Sequence, residues 1–259
     1  MVSRRSIVGT IVAALIATAI GIVLSYVIHW FPAQASTQAH NTDTFYHVLV
    51  IASVPIFVLV VTVILYSVWK FRMKPGEELK DGPPIHGNTR LEVIWTAIPA
   101  IILLGLVSYS FVVLKENEKK PVGPEMVVNV TGQQFAWSYE YPRSVTGGAP
   151  LKTTQLYVPN NESVRFEIRS LDVIHAFWIP AFRLQIDAVP GITTSYRATP
   201  DRLGAYPVVC NLLCGVGHGL MRSTVHVVRP SAFHTWLQSQ SRISAGASTG
   251  QAGAPASAS

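Results

Sequence analysis

The sequence predicts a membrane-anchored all-β protein: a β-sandwich preceded by a transmembrane helical hairpin and by one further hydrophobic segment at the N-terminus. Three observations lead there. Of the 259 residues, 49% are hydrophobic and only 13% charged, a balance tilted towards membranes. The charges avoid three long stretches that all end before Lys115. Beyond Lys115 the chain breaks into short runs rich in β-formers, separated by turn residues.

The first stretch has no Asp, Glu, Lys or Arg from Ser6 to Thr42, and its apolar part, Ile7 to Trp30, exceeds the roughly 20 residues that cross a bilayer core. Residues 1–35 can be read in two ways. Arg4 and Arg5 ahead of an apolar run, with Ala33-Gln34-Ala35 behind it, describe a secretory signal and its cleavage site; the length of the run favours a retained helix. The second stretch, Thr44 to Trp69, and the third, Val93 to Leu114, are apolar on every side. That pattern argues against soluble amphipathic helices and predicts a membrane-spanning hairpin over 44–115. Its connecting loop, 70–92, carries Lys70, Arg72, Lys74, Lys80 and Arg90, whereas no basic residue separates the first two stretches. Basic loops stay in the cytoplasm, so the chain beyond Lys115 is expected outside.

From about Pro121, the runs MVVNVT, QFAWSYEY, LYVP, SVRFEIRS, DVIHAFWIP, TTSYRA, AYPVVC and STVHVV read as strands, divided by TGGAP, PNNES and VPG. This spacing fits an antiparallel sandwich or barrel over 121–242. The end, 243–259, is rich in Ala, Gly and Ser with almost nothing to bury, and is expected to be a flexible tail. The net charge of +6 does not point to nucleic acid: seven basic residues follow from topology, and beyond position 114 thirteen bases face nine acids without a long run.

CNLLCGVGHGLM, residues 210–221, holds both cysteines. In an exported domain two such cysteines commonly form a disulfide. Their neighbours argue for a metal instead, because Cys210, Cys214, His218 and Met221 together form a soft ligand set that favours copper over magnesium or calcium. A mononuclear blue-copper site uses one cysteine; a second thiolate on the same loop suggests a bridged pair of copper ions. A further imidazole must come from elsewhere, and His175, inside DVIHAFWIP, is the candidate; alone it would read as a core histidine. His226 and His234 are read as structural or surface residues.

Four motifs occur together and in order: GNTRLEVIWTAIPAIIL, TGQQFAWSYEYP, LDVIHAFWIPAFRLQIDAVPG and CNLLCGVGHGLM. Over about 45–229 the chain resembles subunit II of the haem-copper cytochrome c oxidases, which carries the dinuclear copper centre CuA. The resemblance implies a cupredoxin-like external domain. It makes Cys210 and Cys214 the bridging thiolates, His175 and His218 the terminal imidazoles, Met221 the thioether on one copper and the backbone carbonyl of Leu212 the weak ligand on the other. Asp172 and Asp187 match the family's aspartates. Glu92 matches a carboxylate near a proton-uptake channel of the catalytic subunit, although a solvated charge at a membrane boundary explains it equally well. The implied activity is that of an electron-accepting subunit of a terminal respiratory oxidase. Electrons from cytochrome c pass to haem in subunit I, where oxygen is reduced to water, in a bacterial-type plasma membrane with the copper domain on the extracytoplasmic side.

The chain departs from that pattern in three places. Most relatives have glutamate at position 212, whose side chain helps hold magnesium at the subunit boundary; Leu212 cannot, so this contact is expected to be absent. Phe135 stands where relatives have the tryptophan that receives electrons, while Trp137 is kept, and the resemblance makes Phe135 and Trp137 the expected electron-entry residues. Arg143, Arg169 and Arg183 carry the wrong sign for docking a basic cytochrome, which leaves a less basic cytochrome domain or a small blue-copper protein as the expected donor. Three rival readings remain at this point: the metal-free quinol-oxidase form of the same subunit, a copper carrier and a disulfide-stapled scaffold.

Overall fold

A computed structural model describes residues 4–73, 75–76, 84, 87–121 and 123–250, with only the backbone considered over 244–250. The chain divides into two compact units. One holds the apolar helix α1 (Arg4–Val27) and most of α2 (Thr37–Phe71) and α3 (Thr89–Asn117), each helix long and apolar enough to span a bilayer. Pro55 and Pro99 lie inside α2 and α3, as transmembrane helices tolerate. Much of the loop expected over 70–92, including Lys74 and Lys80, lies outside the described residues.

The other unit contains residues 31–42 and everything from Lys115 onward. Its two five-stranded sheets face each other. One runs β3 (Leu151–Thr153), β2 (Ala136–Tyr141), β1 (Met126–Gln133), β5 (Val164–Ser170) and β8 (Thr194–Ala198). The other runs β4 (Leu156–Pro159), β10 (Arg222–Val228), β9 (Gly204–Cys210), β6 (His175–Ile179) and β7 (Leu184–Ala188). Alternate residues point inward, as the two-residue period of a strand requires: Val128 and Val130 from β1, Phe166 and Ile168 from β5, and Phe177 and Ile179 from β6 are fully buried.

The structure differs from the sequence reading in four respects. β3 is too short for a periodic pattern, and β7 is an edge strand that pairs, among the described residues, with β6 alone; neither is marked in the sequence pattern. The sandwich is mixed, because β1 pairs with β5 and β10 with β4 in parallel. Turn residues mark where a chain reverses but not which sheet the next strand joins, and between β1 and β5 the chain has already visited the other sheet through β4. The residues after the last strand form a helix, α5 (Pro230–Gly250), where the reading placed a tail from 243. Proline at its start and the packing of Phe233 and Leu237 on the sandwich offset its nucleation cost, and Ala and Ser then propagate it. Residues 251–259 lie outside the described residues.

The fourth difference concerns Ala33-Gln34-Ala35. Ala35 is fully buried in the sandwich core, donates its N–H to the Ala181 carbonyl (2.9 Å) and accepts the Asp201 N–H (3.2 Å). Ser36 Oγ donates to the Phe182 carbonyl at 3.1 Å. The Arg183 guanidinium donates to the Pro32 carbonyl (2.9 Å) and lies over the Phe31 ring. The alanine at 35 has a packing role, since its side chain is fully buried in the sandwich core.

Candidate metal centre

The centre forms where two adjacent strands of one sheet end together. His175 opens β6 and Cys210 closes β9, and the pairing of Phe177 with Cys210 brings the two ends side by side. The Asn211 N–H donates to the Ala176 carbonyl (3.0 Å) and the Cys210 N–H to the Met221 carbonyl (3.1 Å), which closes the 210–221 loop over the pair. Gly215 turns that loop with φ +136, a conformation open to glycine.

Five soft side chains meet there. Cys210 Sγ lies 3.9 Å from His175 Nδ1 and 3.8 Å from Cys214 Sγ. Cys214 Sγ lies 3.7 Å from His218 Nδ1 and 3.9 Å from Met221 Sδ. The Leu212 carbonyl is 3.3 Å from Cys210 Sγ. The ligand atoms of His175, Cys210 and Cys214 all fall within 4.8 Å of one another. Both cysteines are free, which excludes the disulfide alternative for this structure. Two thiols, two imidazoles and a thioether, drawn from a strand, a neighbouring strand end and one loop, fit a soft metal such as copper.

The shell around them fixes their orientation. His175 is fully buried, and its Nε2 donates to Asp172 Oδ1 at 2.8 Å, which leaves the Nδ1 lone pair facing the sulfurs. Slight burial works against ionisation of Asp172. Hydrogen bonds from the Gln134 N–H, His175, the Val173 N–H and Ser170 Oγ outweigh it and hold the carboxyl at about 2. Gln134 also donates from Nε2 to the Cys214 carbonyl at 2.6 Å, so one residue tethers both the aspartate and the loop. Burial, then the neighbouring Cys210 sulfur, pushes the Cys214 thiol up to about 11, so a metal arriving at neutral pH must displace its proton. The reading did not single out Gln134, Gly132 or Gly217. A Cβ on Gly132 would sit 3.1 Å from His175 Cδ2, and one on Gly217 would sit 2.5 Å from Phe135 Cδ2. Glycine in a strand and a glycine pair in a ligand loop are the sequence signals for such close approaches.

Comparison with known proteins shows the family. Residues 21–113 match the model for the transmembrane domain of cytochrome c oxidase subunit II, and residues 150–228 match that for its periplasmic domain. Cytochrome c oxidase subunit 2 of Thermostichus vulcanus is 32% identical, over 86% of this chain and 84% of that protein. The chain belongs to the cytochrome c oxidase subunit II family. The Cereibacter sphaeroides subunit 2 is also 32% identical, over 80% of this chain and 77% of its own length. The crystal structure of the periplasmic domain of subunit II of cytochrome oxidase of Bradyrhizobium japonicum shares 29% identity, covering 46% of this chain and 94% of that one, with a TM-score of 0.43. This chain is therefore a cytochrome c oxidase subunit with membrane helices and an extracytoplasmic β domain.

Other residues of the reading fall elsewhere. Phe135 is half-buried with its ring against the 210–221 loop at Gly215 and Gly217. Trp137, grouped with Phe135 as a place where electrons arrive, is 2% exposed and packs edge-on against His175 and Phe177, so a docking protein cannot touch it. Its position inside the period-two alternation of β2 decides this. Arg183 is likewise engaged within the sandwich unit by Pro180, Pro32 and Phe31. Arg169 remains exposed. Glu92 lies exposed in the first turn of α3, in the helical unit, and takes no part in the metal cluster. His226 stacks on Tyr157 and His234 lies beside Phe233.

Proposed function

We propose that the chain accepts electrons from cytochrome c, or from a similar small donor, at a dinuclear CuA centre and passes them to haem in subunit I, where oxygen is reduced to water. The single observation that carries this reading is the convergence of His175, Cys210, Cys214, His218 and Met221, with the Leu212 carbonyl, on one buried spot. In this reading Cys210 and Cys214 would supply the thiolates shared by the two ions, His175 and His218 an imidazole for each, and Met221 and the Leu212 carbonyl the weaker ligands. Bound there, a copper pair supplies one delocalised electron site with small reorganisation. The chain's own contribution is rigidity: Asp172 holds His175, Gln134 holds the loop, and both sheets hold the strand ends.

Phe135 is the ring nearest the loop from outside, and we assign the arriving electron to that face, with Trp137 as packing behind it. Subunit I and the other oxidase subunits are the expected neighbours of the spanning helices, in a bacterial-type plasma membrane crossed more than once. Glu92 is assigned to the mouth of a proton-uptake path at the cytoplasmic end of α3. Leu212 offers no carboxylate to magnesium. With Arg183 engaged internally, exposed Arg169 and Arg143 still oppose a strongly basic donor, which favours a less basic cytochrome domain or a blue-copper protein.

Full-length chain loaded with copper tests the central claim. Two copper ions per chain, a purple colour and an electron-spin spectrum with one unpaired electron coupled to two copper nuclei are expected. A single copper, or loss of binding with the cysteines oxidised, overturns it. Stopped-flow reduction by donors of opposite charge tests the donor, and a clear preference for a strongly basic cytochrome at low salt refutes that part alone.

A further inference from the structure

The helical unit contains a cleft that the electron-transfer reading does not use. α1 and α2 run antiparallel: Ser6 Oγ meets the Tyr66 hydroxyl at 3.4 Å at one end, and Tyr26 stacks on His47 with ring centroids 5.2 Å apart at the other. Near the Tyr26 end the helices touch closely, since a Cβ on Gly21 would fall 2.8 Å from Val54 Cγ1. Towards the Ser6 end they part around a cavity of about 570 Å³. Ala13, Ala14 and Ala17 form its α1 wall, and Phe57, Val61 and Trp69 stand on the α2 side. Three alanines opposite two large rings leave the space that the cavity measures.

The wide end carries a set of cations. Tyr66 and Trp69 mark the depth at which aromatic residues meet the head-group layer. Just beyond them lie Lys70, in the last turn of α2, and Arg72, directly after that helix, and the antiparallel arrangement brings Arg4 and Arg5 of α1 to the same end. All four are exposed, and among the described residues none of them is in an ion pair. By the positive-inside rule this end faces the cytoplasm.

We propose that the cleft between α1 and α2 is a binding site for an anionic diacyl phospholipid of the cytoplasmic leaflet. One acyl chain lies along the alanine wall against Phe57 and Val61, and the phosphate sits among Arg4, Arg5, Lys70 and Arg72 at the level of Trp69. Basic pockets between spanning helices on the cytoplasmic side recognise such head groups, and arginine binds phosphate through paired N–H donors. A helix of another subunit would have to bring carboxylates to four cations at the head-group depth, whereas an anionic lipid supplies charge and chain in one molecule. The site requires α1 to remain in the assembled protein, in keeping with its close contact at Gly21 and the burial of Ala35 in the sandwich. It does not depend on the nature of the metal centre.

The assembled oxidase, extracted in a mild detergent, is given an equimolar mixture of phosphatidylglycerol and phosphatidylcholine with matched chains, and retained lipids are counted by native mass spectrometry. At least one phosphatidylglycerol is expected to be kept in preference to phosphatidylcholine. Arg5→Gln, which leaves the other cations and so the topology in place, lowers that preference about fivefold. Ala14→Phe fills the cleft without changing charge and removes one retained phosphatidylglycerol from the count. Equal retention of the two lipids by the parent, an unchanged count in Ala14→Phe, a protein helix found in the cleft by electron microscopy, or a mature subunit whose mass shows that it begins after Ala35 would each overturn the proposal.

Discussion

Replacing Asp172 by asparagine tests whether the metal centre depends on a carboxylate that is not itself a ligand. The two oxygens accept on both sides: Oδ1 takes His175 Nε2–H at 2.8 Å and the Val173 N–H at 2.7 Å, while Oδ2 takes the Gln134 N–H at 2.7 Å. An asparagine has one acceptor and one donor end. If its oxygen faces His175, its NH₂ group confronts the Gln134 N–H; flipped, it leaves the fully buried His175 Nε2 without an acceptor. The first orientation strands one donor and the flipped one strands two, His175 Nε2–H and the Val173 N–H, at a cost of about 1–3 kcal/mol for each buried donor left unpaired. Where that cost falls on His175, copper affinity drops by about ten- to a hundredfold, the range seen when groups behind a metal-binding histidine are altered. The assay is competition between the full-length chain and a chromophoric copper chelator, with the copper–thiolate absorption as a second readout. An Asp172→Asn variant that holds copper within about twofold of the parent would refute the argument. The carboxyl titrates at about 2 against an ordinary 3.8. A depressed value means that its stabilisation is complete above the ordinary value and is lost as the pH falls towards the depressed one. The stability curves of the copper-free parent and variant should therefore converge as the pH falls from about 4 to about 2.

Three further outcomes follow from neighbouring contacts. Gly217→Ala places a methyl 2.5 Å from Phe135 Cδ2 at a backbone that tolerates alanine, so the ring or the loop must move. We expect about 1–3 kcal/mol of destabilisation in thermal unfolding and slower reduction by the donor. Arg183→Ala removes bonds to the Pro180 and Pro32 carbonyls and the contact with Phe31, which should speed proteolysis within residues 31–42 at least about fivefold if 1–3 kcal/mol is lost locally. Leu212→Glu in the assembled oxidase should create a manganese or magnesium site, visible in the manganese spin spectrum, while copper content stays the same because only the carbonyl of residue 212 faces the sulfurs. Manganese binding by the parent at the same affinity would show that Leu212 is not the missing contact.

Much of the molecule was written in local patterns. Three apolar stretches became three helices because a spanning helix needs only length and the absence of charge, both visible in a window of residues. Cys210, Cys214, His218 and Met221 could be grouped because one loop carries them all. His175 was harder: it stands 35 residues upstream of Cys210, and only its soft neighbours, together with the family motifs, singled it out.

What tertiary structure decided was everything that depends on which strand lies beside which. The parallel pairings of β1 with β5 and of β4 with β10 arise from crossovers between sheets, which no period in the sequence records. Alternation along β2 could say that Trp137, Tyr139 and Tyr141 share a face, but only the second sheet made that face the inside and so removed Trp137 from any donor's reach. Ala35 looked like part of a processing signal, and Arg183 like a docking charge, until the fold placed the segment around Ala35 on the sandwich and Arg183 against it. Sequence determines each residue's chemistry and its neighbours along the chain; partners brought in from distant segments, by burial and hydrogen bonding, are fixed only when the chain closes on itself.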